Sequence, residues 1–224
     1  MFLWTDLLAL LRHPSSALSE IGSRRRAEQA VLALAASLLA PAILAEVAGL
    51  GPYRPPANLG SLPTLTAQGA DIYARWVYQH RFTIPMVEIA AGLVLWLVAG
   101  LIIHLGARAL RGRGNLAGFL KLVFFVSLVG LVALPISILE TITHLSSNAK
   151  AQLSIGSLAG LAGLVVFTWQ NWLLILAARM HYALSNRRAV TSVLGPIGCL
   201  VILGILVLIL AAITAVLVRP AGAR

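Results

Sequence analysis

The chain has 224 residues, 59% of them hydrophobic and only 11% charged, with a formal net charge of +10. A soluble globular domain carries about 25% charged residues, so a water-soluble enzyme or binding module is excluded. Cys199 is the single cysteine, which rules out an intrachain disulfide or a cysteine-based metal site.

The chain opens with MFLWTDLLALLRHPSS, which lacks the basic n-region of a cleavable signal peptide. Trp4, Leu7, Leu8 and Leu11 recur at helical spacing. That spacing predicts a short amphipathic helix lying on the inner membrane surface. Pro14 ends it, and a second short helix through residues 17–21 leads to the cluster Arg24, Arg25 and Arg26. Residues 1–27 are expected to form a cytoplasmic amphipathic segment.

Five long apolar stretches follow, at about residues 30–48, 84–105, 116–139, 153–178 and 190–218. About 20 apolar residues cross the hydrocarbon core of a bilayer as a helix. None shows the polar face of a soluble helix, and Leu200–Ala215 is apolar all round. The predicted fold class is therefore all-α: a polytopic membrane protein with five transmembrane helices in one membrane domain, residues 28–218. Residues 219–224 form a tail on the outer side.

The basic residues set an expected topology. Eleven of the 17 precede span one, flank the gap between spans two and three, or lie between spans four and five. They include Arg24, Arg25 and Arg26, then Arg111 and Arg113, then Arg187 and Arg188. Lys and Arg of short loops stay cytoplasmic, so the N-terminus is expected inside and the C-terminus outside. The cations share no soluble face, so their excess reads as topology and affinity for anionic headgroups, with no nucleic acid as partner. Many arginines beside only two lysines, with abundant Ala, Leu and Gly, suggest a GC-rich genome and a bacterial inner membrane.

Residues 49–83 form the expected outer loop. Its first half, GLGPYRPPANLGSLP, is rich in Pro and Gly and has no period. Residues 66–81 carry Ile72, Tyr73, Trp76, Val77 and Tyr78, which fit an interfacial helix with its rings at headgroup level. Pro85 then falls in the first turn of span two, where its missing N–H costs nothing. The turn RALRGRGNL uses glycines for a tight reversal into span three. As a phosphate loop it lacks the strand–loop–helix context.

Spans one and three share a pattern, Pro41 to Glu46 and Pro135 to Glu140. Each proline removes a backbone hydrogen bond, so the two helices are expected to bend alike. Under the assigned topology Glu46, Glu88 and Glu140 reach the outer ends of spans one to three. Ionisable residues within a span are functional suspects by default. Glu88 lies in a first turn, where the helix dipole stabilises it; Glu46 and Glu140 lie at C-terminal ends, where the dipole opposes them. They need a cation or donor such as Arg75, Arg81 or Lys150. With His144 they form a candidate outer-side polar cluster. The histidines are scattered, with no H-E-x-x-H and no paired E-x-x-H, so neither metal nor cofactor is expected.

Span four opens with SIGSLAGLAG, placing Gly156, Ala159, Gly160 and Gly163 on one helix-packing face. Small residues at this spacing let helix backbones approach closely in lipid, within the chain first and between copies as the alternative. Gln170 and Asn171 form a mid-span polar pair between Trp169 and Trp172, suited to an interhelical hydrogen bond.

No Gly-x-Ser-x-Gly and no midplane carboxylate pair appears, so the chain does not read as an enzyme. The leading function is an adaptor, scaffold or membrane-organising subunit, partnered by a membrane protein or a second copy. The alternative is a transport component for a small solute, ion or lipid, with Glu46, Glu88, Glu140, Gln170 and Asn171 lining the path. Five spans do not divide into the two equal halves common in transporters.

Three segments resemble the Yip (Ypt-interacting protein) family in its bacterial branch. They are HPSSALSEI before span one, IHLGARALRGRGNLAGFLKLVFF across the second turn, and WQNWLLILAARMHYALSNRRAVTSVLGPIG across the third. The chain departs where the family often has a double glycine: here the turn reads Arg111-Gly-Arg-Gly114. The resemblance implies five helices, an inside N-terminus and a role exercised through partners. Eukaryotic relatives serve vesicle traffic with Rab-type GTPases; without a long cytosolic domain, that binding is not carried over.

Overall fold

The computed structural model describes residues 2–53, 64–146, 149–196 and 198. All regular structure among them is helical. The elements are α1 (Phe2–Arg12), α2 (Pro14–Arg24), α3 (Ala27–Gly49), α4 (Thr64–Gln79), α5 (Thr83–Ala109), α6 (Leu116–Ser127), a 3-10 segment (Leu128–Ala133), α7 (Leu134–Ser146) and α8 (Ala149–Tyr182). A last helix, α9, starts at residue 186 and is described through 196.

Four helical segments are long and apolar enough to cross a membrane: Ala27–Val47, Thr83–Ala109, Leu116–Thr143 and Ser154–Tyr182. They coincide with the first four expected spans. Of the fifth stretch, 190–218, only the beginning falls in α9; most of it, like the tail 219–224, lies outside the described residues. Residues 54–63 of the Pro/Gly-rich loop are also outside them.

The spans alternate in direction, so the bundle has two ends. The turn end carries the N-terminus, the α5–α6 turn and the α8–α9 turn; the loop end carries α4 and the α7–α8 connection. Helix α3 packs against α5, α6 and α7, and α8 packs against α6 and α7. Fully buried side chains concentrate in α6, the start of the 3-10 segment and the turn-end half of α8, with Phe119, Phe125, Leu128, Leu173 and Tyr182 among them.

The third span does not continue as one α-helix. Its middle winds into the 3-10 segment and resumes as α7 one residue before Pro135. Pro135 has no N–H for the carbonyl of residue 131, and its ring presses on that carbonyl. Tightening to i→i+3 bonds over the preceding turn relieves both defects. Pro41 sits inside a continuous α3 instead. The shared Pro-to-Glu pattern thus yields an unbroken α-helix in span one and a 3-10 break in span three.

The N-terminus also differs from the simple amphipathic picture. Pro14 does end α1, but it also opens α2 from its first position. Leu7 and Leu10 are 2% and 0% exposed, and Ala17, Leu18 and Ile21 of α2 join the same core. Helix α1 packs on α2 and on the 3-10 segment, and α2 packs on α6. Of the expected stripe only Leu7 is fully buried; Leu8 and Leu11 are half-buried, Trp4 stays 65% exposed, and the protein-facing side of α1 is Asp6, Leu7 and Leu10.

Candidate functional site

The densest polar construction lies at the turn end, where two helix ends meet. Helix α5 closes with Arg111 at φ 69°. The Arg111 N–H donates to the Arg108 carbonyl at 3.0 Å, and the Gly112 N–H to the Ala107 carbonyl at 2.8 Å. This pair of bonds is the Schellman closure, which occupies carbonyls that a helix C-terminus leaves without partners. Helix α8 ends on the outer bond of the same motif: Ala183 has φ 54°, and the Leu184 N–H donates to the Arg179 carbonyl at 3.0 Å.

The two closures dock on each other. The Arg113 N–H donates to the Tyr182 carbonyl at 3.3 Å. His181 Nε2 lies 2.8 Å from the Asn115 carbonyl oxygen, which can only accept, so this nitrogen carries the proton. Asn115 caps α6, its Oδ1 accepting from the Gly118 N–H at 2.7 Å. Arg108 Nη1 donates to the Gly112 carbonyl at 3.2 Å and braces the turn from below. Tyr182 is buried; its ring packs 5.1 Å from that of Phe119, and its hydroxyl is 2.6 Å from His104 Nδ1.

The glycines here are demanded by contact. A Cβ on Gly112 would stand 2.8 Å from Tyr182 Cβ and from the Ala107 oxygen, and one on Gly114 would press on the His181 ring and stand 2.6 Å from Tyr182 Cδ1. Approaches below about 3 Å leave no room for carbon.

A second polar node sits at mid-bundle, where α6 gives way to the 3-10 segment. Ser37 Oγ of α3 donates to Ser127 Oγ at 2.9 Å, and Ser127 Oγ donates to the Phe124 carbonyl at 2.7 Å. Gln170 Nε2 reaches the Ser127 carbonyl at 3.4 Å. The predicted mid-span pair therefore divides. Gln170 makes the interhelical bond, while Asn171 Nδ2 donates to the Phe167 carbonyl of its own helix at 2.8 Å. Trp169 and Trp172 pack with ring centroids 4.9 Å apart.

The N-terminal arginines take separate tasks. Arg25 pairs with buried Asp6 at 2.7 Å and lies 5.6 Å from the Phe2 ring centroid. Arg24 makes an exposed pair with Glu20 at 2.9 Å. The Arg26 N–H donates to Gln29 Oε1 at 3.1 Å, leaving its side chain exposed. Lys121 Nζ donates to the Gly22 carbonyl at 2.7 Å and the Arg25 carbonyl at 3.1 Å, tying the end of α2 to α6.

At the loop end, Tyr53 donates to Asp71 Oδ1 at 2.6 Å and Arg75 Nε to Asp71 Oδ2 at 2.8 Å. The hydrogen bond from Tyr53, then that from Arg75, holds the Asp71 carboxyl below its ordinary pKa; the same bond raises that of Tyr53. Arg81 lies 4.1 Å from the Tyr78 ring centroid and donates to the Tyr78 carbonyl at 2.8 Å. Two of the three expected cationic partners, Arg75 and Arg81, are thus engaged elsewhere. Glu46 and Glu140 are half-buried and Glu88 is exposed, and none makes a side-chain hydrogen bond or ion pair among the described residues. The side chains of His144 and Lys150 lie outside the description.

On α8, a Cβ added at Gly156, Gly160 or Gly163 would meet nothing within 4 Å, so no described helix uses that face for close approach; Ala159 is half-buried beside it. Among the described residues no group of three His, Cys, Asp or Glu is placed to hold a metal ion. Sequence reasoning missed the His104–Tyr182 contact and the Asp6–Arg25 pair, which join residues 78 and 19 positions apart. The one available signal was the glycine spacing of the α5–α6 turn, which announces a close neighbour without naming it.

Apolar spans joined by short docked turns define a polytopic helical membrane protein. A Yip1 domain model matches residues 8–217, and the chain belongs to the Yip1 family. No curated protein and no solved structure matches it.

Proposed function

We propose that the protein is a non-enzymatic adaptor, scaffold or membrane-organising subunit of a bacterial inner membrane, with its turn end in the cytoplasm. The observation that carries this reading is the docked pair of turns. A scaffold needs a face whose shape stays constant while partners come and go. His181, Asn115, Arg108 and the two helix-end closures brace backbone against backbone there. Membership of the Yip1 family supports the same reading.

The test is affinity purification of the intact protein in mild detergent, with identification of the proteins that accompany it. The expected result is a reproducible set of membrane proteins, retained in Glu46→Gln and Glu140→Gln variants. Solute flux into proteoliposomes that these two substitutions abolish would overturn the proposal.

A further inference from the structure

The two docked turns carry five arginines, Arg111, Arg113, Arg179, Arg187 and Arg188, all exposed. None forms an ion pair among the described residues. The sequence has no acid between Glu88 and Glu140 and none after Glu140, so neither turn carries a carboxylate, and Glu88 of α5 lies at the opposite end of its helix. Of the acids at this end, Asp6 is held by Arg25 and Glu20 by Arg24. The remaining one, Glu28, sits in the first turn of α3, where the helix dipole stabilises it.

Three of these arginines occupy locally unfavourable places. Arg111 holds the left-handed backbone conformation that glycine adopts without cost. Arg187 and Arg188 lie in the first turn of α9, where the positive end of the dipole opposes cations. Membrane topology needs basic residues in these turns but is indifferent to where they fall. A bound anion is not indifferent: it meets guanidinium groups and a helix N-terminus together. The base under them is fixed, because Arg113 N–H to Tyr182 O and His181 to Asn115 O join one turn to the other. The segments of α5, α6 and α8 beside the turns are long and apolar enough to cross a membrane, which puts the turns at headgroup level.

We infer that the docked α5–α6 and α8–α9 turns form a binding site for the phosphate of anionic phospholipid headgroups, with Arg111, Arg113, Arg187 and Arg188 as its ligands. The site adds a lipid partner to the proposed function and stands whichever proteins associate with the chain.

The full-length protein in proteoliposomes, probed by electron paramagnetic resonance, tests this with spin-labelled phosphatidylglycerol against spin-labelled phosphatidylcholine. The wild type is expected to prefer the anionic label severalfold, less so at high salt. Each guanidinium removed should lower the preference by up to about fivefold. Replacing Arg111, Arg113, Arg187 and Arg188 together by Gln should bring it close to unity, whereas Lys replacements should retain most of it. Because the fourfold variant can misfold, Arg111→Gly provides a second measurement. It relieves the backbone cost at φ 69°, so it should be at least as stable as wild type while still losing preference. Equal binding of both labels by the wild type, or an undiminished preference in a folded Arg111→Gly or fourfold variant, overturns the inference. So does loss of the preference on adding millimolar glycerol phosphate, which would assign the site to a soluble phosphate.

Discussion

Some glycines of this protein are required and others merely present, and the contacts tell them apart. At Gly112 and Gly114 the space for a Cβ is already taken by Tyr182 and His181; at Gly156 and Gly160 it is empty among the described residues. Gly114→Ala is expected to lower stability by about 1–3 kcal/mol, as overpacking of a closed contact does. Gly160→Ala should leave stability unchanged or raise it by up to about 1 kcal/mol, since its Cβ meets nothing and alanine is the better helix former. Thermal unfolding in one detergent compares them. A loss at Gly160 as large as at Gly114 would mean that a further helix packs on that face. The reverse logic holds at Ala183, whose φ of 54° suits glycine better. Ala183→Gly is expected to raise stability by about 0.5–1 kcal/mol in the same measurement. Such requirements are hard to read from sequence: RGRGNL advertises a tight turn, but nothing in it says that His181 and Tyr182 form the opposing wall.

At the scale of elements, apolar periodicity located the first four spans to within a few residues, because a bilayer constrains length and polarity together. It understated their ends. Helix α8 runs on to Tyr182 and α5 to Ala109, through His and Arg positions that water or headgroups solvate without breaking the helix. It could not see the 3-10 segment, whose composition is that of any span. Nor could it choose a target for the apolar stripe of α1, since a 3.6-residue period fits a membrane surface and a protein surface equally. The Asp6–Arg25 pair makes the observed docking testable. Asp6→Asn removes the charge opposite Arg25 and should cost about 1–3 kcal/mol. Hydrogen exchange should rise in α1 and α2 before it rises in α5.

The loop end makes a separate prediction, set by proton binding. The depressed pKa of Asp71 means that its contribution to docking Tyr53 on α4 is complete above the ordinary carboxylate value of about 3.9. It is lost as pH falls through the lower value of the folded state. The raised pKa of Tyr53 gives the opposite limit: its contribution is complete below about 10 and lost as pH rises further. Hydrogen-exchange protection at residues 50, 51 and 53, taken relative to the intrinsic exchange rate at each pH, should therefore be highest near neutral pH and fall at both extremes, with Asp71→Asn abolishing the acid limb.

Across the whole molecule, charge and polarity are divided between the two ends. The turn end is rich in arginine, and Arg111, Arg113, Arg179, Arg187 and Arg188 form no ion pair among the described residues; the loop end carries three glutamates and the aromatic helix α4. The arginine count made the first half of this legible in the sequence. The glutamate cluster was inferred from depth alone. Depth does not determine partners: the Arg75 and Arg81 side chains are held by Asp71 and Tyr78, close to them in sequence.

The tie between Lys121 and the Gly22 carbonyl spans 99 residues, and it has a consequence in time. Helices α1 and α2 leave the ribosome long before α6 exists, so the wall that will cover Leu7, Leu10 and Leu18 has not yet been made. Until the third span is synthesised, those side chains need another apolar surface, and the membrane beside the nascent chain is the nearest. The amphipathic stripe then serves twice: first as a temporary float on lipid, and later as one half of a protein–protein seam. Helices α1 and α2, made before the third span, can take up their final packing only after it.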